Sequence, residues 1–272
     1  MRMFSREIRL FFTSWMFFTR IPLPARLAAW VGYSAEMMQG AARYLPLVGW
    51  FVGLAGAAVF AASDWLFTPM VAVALSMAAT VLITGAFHED GWADVCDGFG
   101  GGATRERVLE IMKDSRIGAF GAIGLVLMLL IKFAALLSLA EGAQVELVGW
   151  LMVIGHALSR LAPVALMRCM HYVRPEADAK ARPMAQAVSP PGLAVALVLG
   201  LLPALALVYF YENGWLFVLG LLPVALATVL IGAWFQRRIG GYTGDCLGAA
   251  QQLAEVVFYL YAVALLAAPA AQ

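Results

Sequence analysis

The chain has 272 residues, 63% of them hydrophobic and only 13% charged, with a formal net charge of +1. Soluble domains carry about 25% charged residues, so this composition excludes an ordinary soluble enzyme and indicates a polytopic helical membrane protein. The near-zero charge balance gives no basis for a nucleic-acid partner, and Cys96, Cys169 and Cys246 lack metal-type spacing and read as reduced thiols.

Residues 1–43 form the first unit. Arg2, Arg6 and Arg9 recur at i, i+4 and i+7, while Phe4, Ile8, Phe11, Phe12 and Trp15 fill the other faces. No small-residue cleavage site follows, so this is an amphipathic interfacial helix and not a signal peptide. It would meet membrane lipid on the anionic inner surface. Thr19-Arg20-Ile21-Pro22-Leu23-Pro24 ends it, because proline disfavours a helical predecessor. Arg20 reads equally as a headgroup anchor or a substrate-phosphate contact. Ser34 is placed to cap a short helix running into Arg43.

About seven spans follow, near 44–62, 67–88, 118–140, 147–168, 192–211, 215–235 and 252–270. The expected fold is all-α: a membrane helical bundle of about seven spans plus the N-terminal interfacial helix. It reads as one integral membrane domain over 1–272. Nearly every basic residue falls on one side of these spans. The other side holds Asp64, Glu141, Glu146 and Glu212, with no Lys or Arg. Positive-inside counting therefore places the N-terminus and the 89–117 loop in the cytoplasm, in a bacterial-type inner membrane. Two cations lie inside spans: Lys132 near the middle of its span, and Arg160 in His156-Ala157-Leu158-Ser159-Arg160. A buried cation in hydrocarbon usually faces a cavity. Lys132 is too deep to snorkel with ease; for Arg160 snorkelling and a cavity weigh equally. The polar connection from Arg168 to Pro191 reads as a lid or as a flexible linker.

Seven of the 17 acidic residues fall between Glu89 and Asp114. On a helix, Asp90, Asp94 and Asp97 lie at i, i+4 and i+7 and share one face. At 1.5 Å per residue they span roughly 10 Å. Like charges so placed call for a cation, and oxygen-only ligands suit Mg²⁺, or Mn²⁺, over zinc. Gly100-Gly101-Gly102 breaks the helix, and Lys113-Asp114-Ser115-Arg116 follows with one more carboxylate and two cations. A divalent ion with Lys and Arg is the usual equipment for phosphoryl transfer. Near the end, Gly240-Gly241-Tyr242-Thr243-Gly244-Asp245 suits a tight turn opening a helix, with Thr243 near an anion site and Asp245 as a further metal ligand.

The stretches His88-Glu89-Asp90-Gly91-Trp92-Ala93-Asp94-Val95-Cys96-Asp97-Gly98 and Met112-Lys113-Asp114-Ser115-Arg116-Ile117-Gly118 resemble the signature of the cobalamin synthase family. Phe17-Phe18-Thr19-Arg20-Ile21-Pro22-Leu23-Pro24 and the 240–245 turn also resemble family segments. Trp92 and Cys96 stand where an aliphatic or small residue is expected. The resemblance implies that α-ribazole, or its 5′-phosphate, attacks the cobinamide-side phosphate of adenosylcobinamide-GDP and releases GMP. It extends the candidate metal set to Glu89, Asp90, Asp94, Asp97 and Asp245. It leaves Asp94, Asp97 and Asp114 open as the base, and gives His88, Lys113, Arg116, Lys132, Arg160 and Thr243 to the substrates. Oligomeric state, including a homo-oligomer, stays open.

Two other classes compete. An ion-coupled transporter would place acids at mid-membrane, whereas here they cluster at one face. A phospholipid-type CDP-alcohol phosphotransferase shares Asp94-x2-Asp97-Gly98, but its Ala-Arg and its final Asp-x3-Asp are missing.

Overall fold

The computed structural model describes residues 2–32, 34–173 and 188–267. Most of the expected lid or linker, residues 174–187, lies outside the described residues.

The chain opens with α1 (Arg2–Phe18), α2 (Ala25–Val31) and α3 (Ala35–Ala41). Ser34 caps α3 by accepting a hydrogen bond from Met37 N at 3.1 Å. The helices dock on one another through Arg6 and Arg9. Arg9 donates twice to the Val31 carbonyl, at 2.9 and 2.7 Å, and Arg6 pairs with Glu36 at 3.0 Å. Phe11 and Trp15 pack on Phe51 of α4 (Leu45–Asp64), so α1 is fastened to the bundle as well.

Six stretches are long and apolar enough to cross a membrane: Ala35–Asp64, Ala119–Gly142, Val145–Cys169, Pro190–Phe210, Trp215–Ile239 and Gly244–Ala267. A bent pair of helices passes the same test only when its two members are taken together as one span, which brings the number of candidates to seven. Here the structure corrects the expected span at 67–88. Helix α5 (Pro69–Thr84) stops early, and α6 (Phe87–Gly101) leaves it at 88°. Two successive left-handed residues make the corner, Gly85 at φ 66° and Ala86 at φ 57°. Glycine adopts that conformation at no steric cost, and alanine does so only against one. The acidic stretch is therefore a packed helix and not a solvated loop. Gly102 closes it, as the glycine triplet suggests.

The remaining elements are α7 (Arg105–Ile111), α8 (Ala119–Gly142), α9 (Val145–Ser159), α10 (Leu161–Cys169), α11 (Pro190–Phe210), α12 (Trp215–Val218), α13 (Leu221–Ile239) and α14 (Gly244–Ala267). The α9–α10 stretch is central, with 83% of its apolar window buried by protein; α8 and α11, at 28% each, leave most of their surface facing outward. Among the described residues there is no extended strand, only an isolated bridge between Tyr172 and Tyr242. That bridge ties the chain beyond α10 to the turn that opens α14. Helix α6 lies against α8 and α14, and this packing positions the site.

Candidate active site

A cavity of about 470 Å³ opens where α6, the α7–α8 turn and the start of α14 converge; Asp90, Asp94, Met112, Lys113, Asp114, Ser115 and Asp245 line it. Each wall has a local cause. Asp90 and Asp94 are one helical turn apart on α6. Thr104 caps α7, accepting from Arg107 N at 3.3 Å, and the turn after α7 presents Lys113 to Ser115. Thr243 caps α14, its hydroxyl accepting from Cys246 N at 3.4 Å, which puts Asp245 in the first turn. Gly91 lets the two helices meet: a Cβ there would sit 2.7 Å from the Asp245 carbonyl oxygen. Asp245 also profits from the positive end of the α14 dipole.

The candidate residues do not all gather here. Asp97 turns away from the cavity. Its two carboxylate oxygens accept from Gly118 N and Gly121 N, both at 2.7 Å, so it caps α8 from outside. Side chains at 118 or 121 would collide with that carboxylate, which accounts for both glycines. Glu89 faces the other side of α6, where its Oε1 accepts from Gln252 at 3.0 Å. Lys132 and Arg160 lie deep in the bundle, 5% and 1% exposed, away from the carboxylate cavity. Lys132 donates to Gln252 at 2.6 Å and pairs with Glu255 at 3.2 Å. Arg160 donates to the His156 carbonyl at 2.8 Å, so it is enclosed by protein and does not snorkel. His88 is buried and stacks on Phe18 with ring centroids 6.1 Å apart. Thr243 is fully buried and serves the helix cap. Arg20 leans over the corner at Gly85, and its backbone N–H donates to Ile83 at 2.6 Å.

The family model of cobalamin-5-phosphate synthase matches residues 10–264. The chain belongs to the cobalamin-5-phosphate synthase family. Among curated relatives, an adenosylcobinamide-GDP ribazoletransferase of Leptothrix cholodnii is 48% identical over 256 residues, covering 93% of this chain and 94% of the relative. One of Shewanella amazonensis is 45% identical, covering 96% of each chain. One of Vibrio cholerae is 42% identical over 96% of this chain and 95% of its own. No solved structure matches the chain.

As a cobalamin-5-phosphate synthase family member, the chain is a multi-pass membrane transferase of cobalamin synthesis, and its acidic motif splits into two jobs. Asp90 and Asp94 face the cavity, and Asp97 holds α8 in place. On the rim, Arg116 grips Asp114 through several hydrogen bonds, the shortest 2.6 Å. That guanidinium pulls the Asp114 carboxyl down to about 2, and the carboxylate in turn raises Arg116. Among the described residues no three His, Cys, Asp or Glu side chains converge tightly enough to hold a metal ion by themselves. The cavity still suits Mg²⁺. Its donors are all carboxylate oxygens, and Mg²⁺ keeps several waters and takes one or two carboxylates plus substrate phosphates. Four residues that matter escaped the sequence reading: Met112 and Ser115 in the wall, Gln251 and Gln252 within α14. Two adjacent glutamines inside an apolar helix were the available signal for the latter pair.

Proposed function

We propose that the chain joins adenosylcobinamide-GDP to α-ribazole or its 5′-phosphate, with Mg²⁺, at the cytoplasmic face of an inner membrane. The observation that carries this reading is the cavity. It draws carboxylates from three separate parts of the chain and sets Lys113 among them, with Arg116 at the rim. That is an arrangement for a diphosphate and its cation.

Asp90, Asp94 and Asp245 line the place where Mg²⁺ would sit, one or two of them binding it directly and the rest through its waters, and it would supply charge neutralisation to the diphosphate. Lys113 meets the phosphate oxygens as a point charge. Arg116 orients Asp114 at the rim and keeps it ionised. A ribazole hydroxyl oxygen bonds to the cobinamide-side phosphorus, the bond to the GMP oxygen breaks, and GMP leaves with the electron pair. The hydroxyl proton passes to a carboxylate. Asp97 is a poor candidate for that role, since both its oxygens already accept from backbone N–H groups. Asp94 lines the cavity and is better placed; Asp114 lines it too, but both its oxygens already accept from Arg116 and its carboxyl is pulled down to about 2, which makes it the weaker acceptor.

The test is direct. Purified protein in detergent or lipid discs, given adenosylcobinamide-GDP, α-ribazole and Mg²⁺, should release GMP and form the joined product. Absence of GMP with either form of the acceptor, from a folded preparation, would overturn the reading.

A further inference from the structure

Behind the carboxylate cavity, on the inner side of α6, lies a buried polar cluster that the proposed chemistry leaves unused. Glu89 of α6, Lys132 of α8, His156 of α9, Arg160 between α9 and α10, and Gln251, Gln252 and Glu255 of α14 are all at most 8% exposed. Gln252 is its hub. It donates to Glu89 at 3.0 Å and to Gln251 at 2.9 Å, and accepts from Lys132 at 2.6 Å. Glu255, one turn further along α14, takes Lys132 at 3.2 Å and Gln251 at 2.7 Å. Gln251 also reaches Ser159 at 2.9 Å.

Charges buried inside a membrane bundle are expensive, and an apolar replacement often holds helices together at least as well. What the polar cluster offers is register. A hydrogen bond has one geometry, whereas leucine against leucine tolerates sliding. The register fixed here is that of the carboxylates. Glu89 adjoins Asp90 on α6, and Gln252 lies two turns beyond Asp245 on α14. The two helices touch directly at Gly91 and Gly248, where a Cβ on Gly248 would sit 3.3 Å from the His88 backbone.

We infer that Gln252, with Lys132 and Glu255, positions the site: it locks α14 against α6 and α8 so that Asp245 faces Asp90 and Asp94 across one cavity. Lys132 thereby acts through α14 and does not touch the substrate phosphates. The inference rests on reading the cavity as the divalent-metal site.

The test is Mn²⁺ binding to the purified, substrate-free protein, followed by the loss of the free-ion electron paramagnetic resonance signal. Wild type should bind. Gln252→Leu, of similar size, should weaken binding about tenfold, raise the half-saturating Mg²⁺ for turnover alike, and leave kcat at saturating Mg²⁺ within about threefold. Ser138→Ala, an exposed hydroxyl on α8, should change nothing. If Gln252→Leu does not insert, the charge-balanced pair Lys132→Met with Glu255→Gln gives the same readout. A lowered melting temperature with unchanged Mn²⁺ affinity would make the cluster merely structural and overturn the inference alone. A wild-type chain that binds no Mn²⁺ would overturn the metal reading and this inference together.

Discussion

Asp94 and Asp97 are three residues apart on one helix and meet different neighbours. The spacing does put Asp90, Asp94 and Asp97 on one stripe. A stripe roughly 10 Å long is longer than one ion, and its far end reaches the N-terminus of α8. Which neighbour each carboxylate meets depends on how α6 packs, and helical spacing carries no information on that. The two roles separate by measurement. Asp97→Ala leaves the buried Gly121 N–H and the part-buried Gly118 N–H without their charged acceptor and should cost about 2–3 kcal/mol. Melting without metal should then fall by roughly 5–10 °C. Asp94→Asn should melt normally, yet lose turnover by orders of magnitude at low Mg²⁺, since each 1.4 kcal/mol or so of lost transition-state stabilisation is about tenfold. Glu106→Gln, outside the cavity wall, should match wild type in both. An unstable Asp94→Asn beside a stable Asp97→Ala would reverse the assignment. Asp114 adds a pH statement. Its carboxyl is depressed from 3.8 to about 2 by Arg116, so the pair's contribution is complete above the ordinary carboxylate range and fades only as pH falls toward 2. The rate between pH 5 and 8 should therefore carry no ionisation of Asp114. Arg116→Gln should lower the height of that profile and leave its shape. A neutral-range ionisation that disappears in Asp114→Asn would contradict this.

At the scale of elements, most helices were legible because apolar length and capping chemistry dictate them. Ser34, Thr104 and Gly240 sit where the helix ends are. The corner after α5 was not legible. Its apolar run continues through Leu82, Ile83 and Phe87, and Gly85 reads as an ordinary small residue within a span. The turn arises from two left-handed residues in succession, and only the first is glycine. Ala86 pays for this conformation. Left-handed backbone costs a residue with a Cβ about 1–2 kcal/mol, while glycine adds unfolded-chain entropy of about 0.4–1 kcal/mol. Ala86→Gly should therefore stabilise the protein slightly, by up to about 1 kcal/mol. Gly85→Ala should destabilise it by a similar amount or more, because its new Cβ would also strike Arg20. Thermal melting of the two variants checks the sign. A corner that melts higher with alanine at 85 than with glycine would mean that α5 and α6 prefer to be straighter.

For the molecule as a whole, charge and helix order make one claim together. Successive crossings alternate direction, so the ends at Asp64, Gly142 and Phe210 share a side, opposite the carboxylate cavity and the start of α14. The acidic, arginine-free loops all fall on that first side, as inside-positive sorting requires. The count agrees with this sorting when α6, bent 88° from α5, folds back into the bundle without crossing to the far side. Treating α6 as a further full crossing would invert every helix after it and put Arg237 and Arg238 outside. Labelling decides between the two. In a chain whose native cysteines are replaced by serine, Glu141→Cys on the far loop should react with an impermeant thiol reagent added to intact cells. Arg107→Cys, on exposed α7 beside the cavity, should react only after the membrane is opened. Arg237→Cys should follow Arg107→Cys, because both lie past α6. If both label from outside while Glu141→Cys does not, α6 crosses the membrane and every later helix is inverted, which would also take the cavity away from the compartment that holds nucleotides, and the proposed reaction with it.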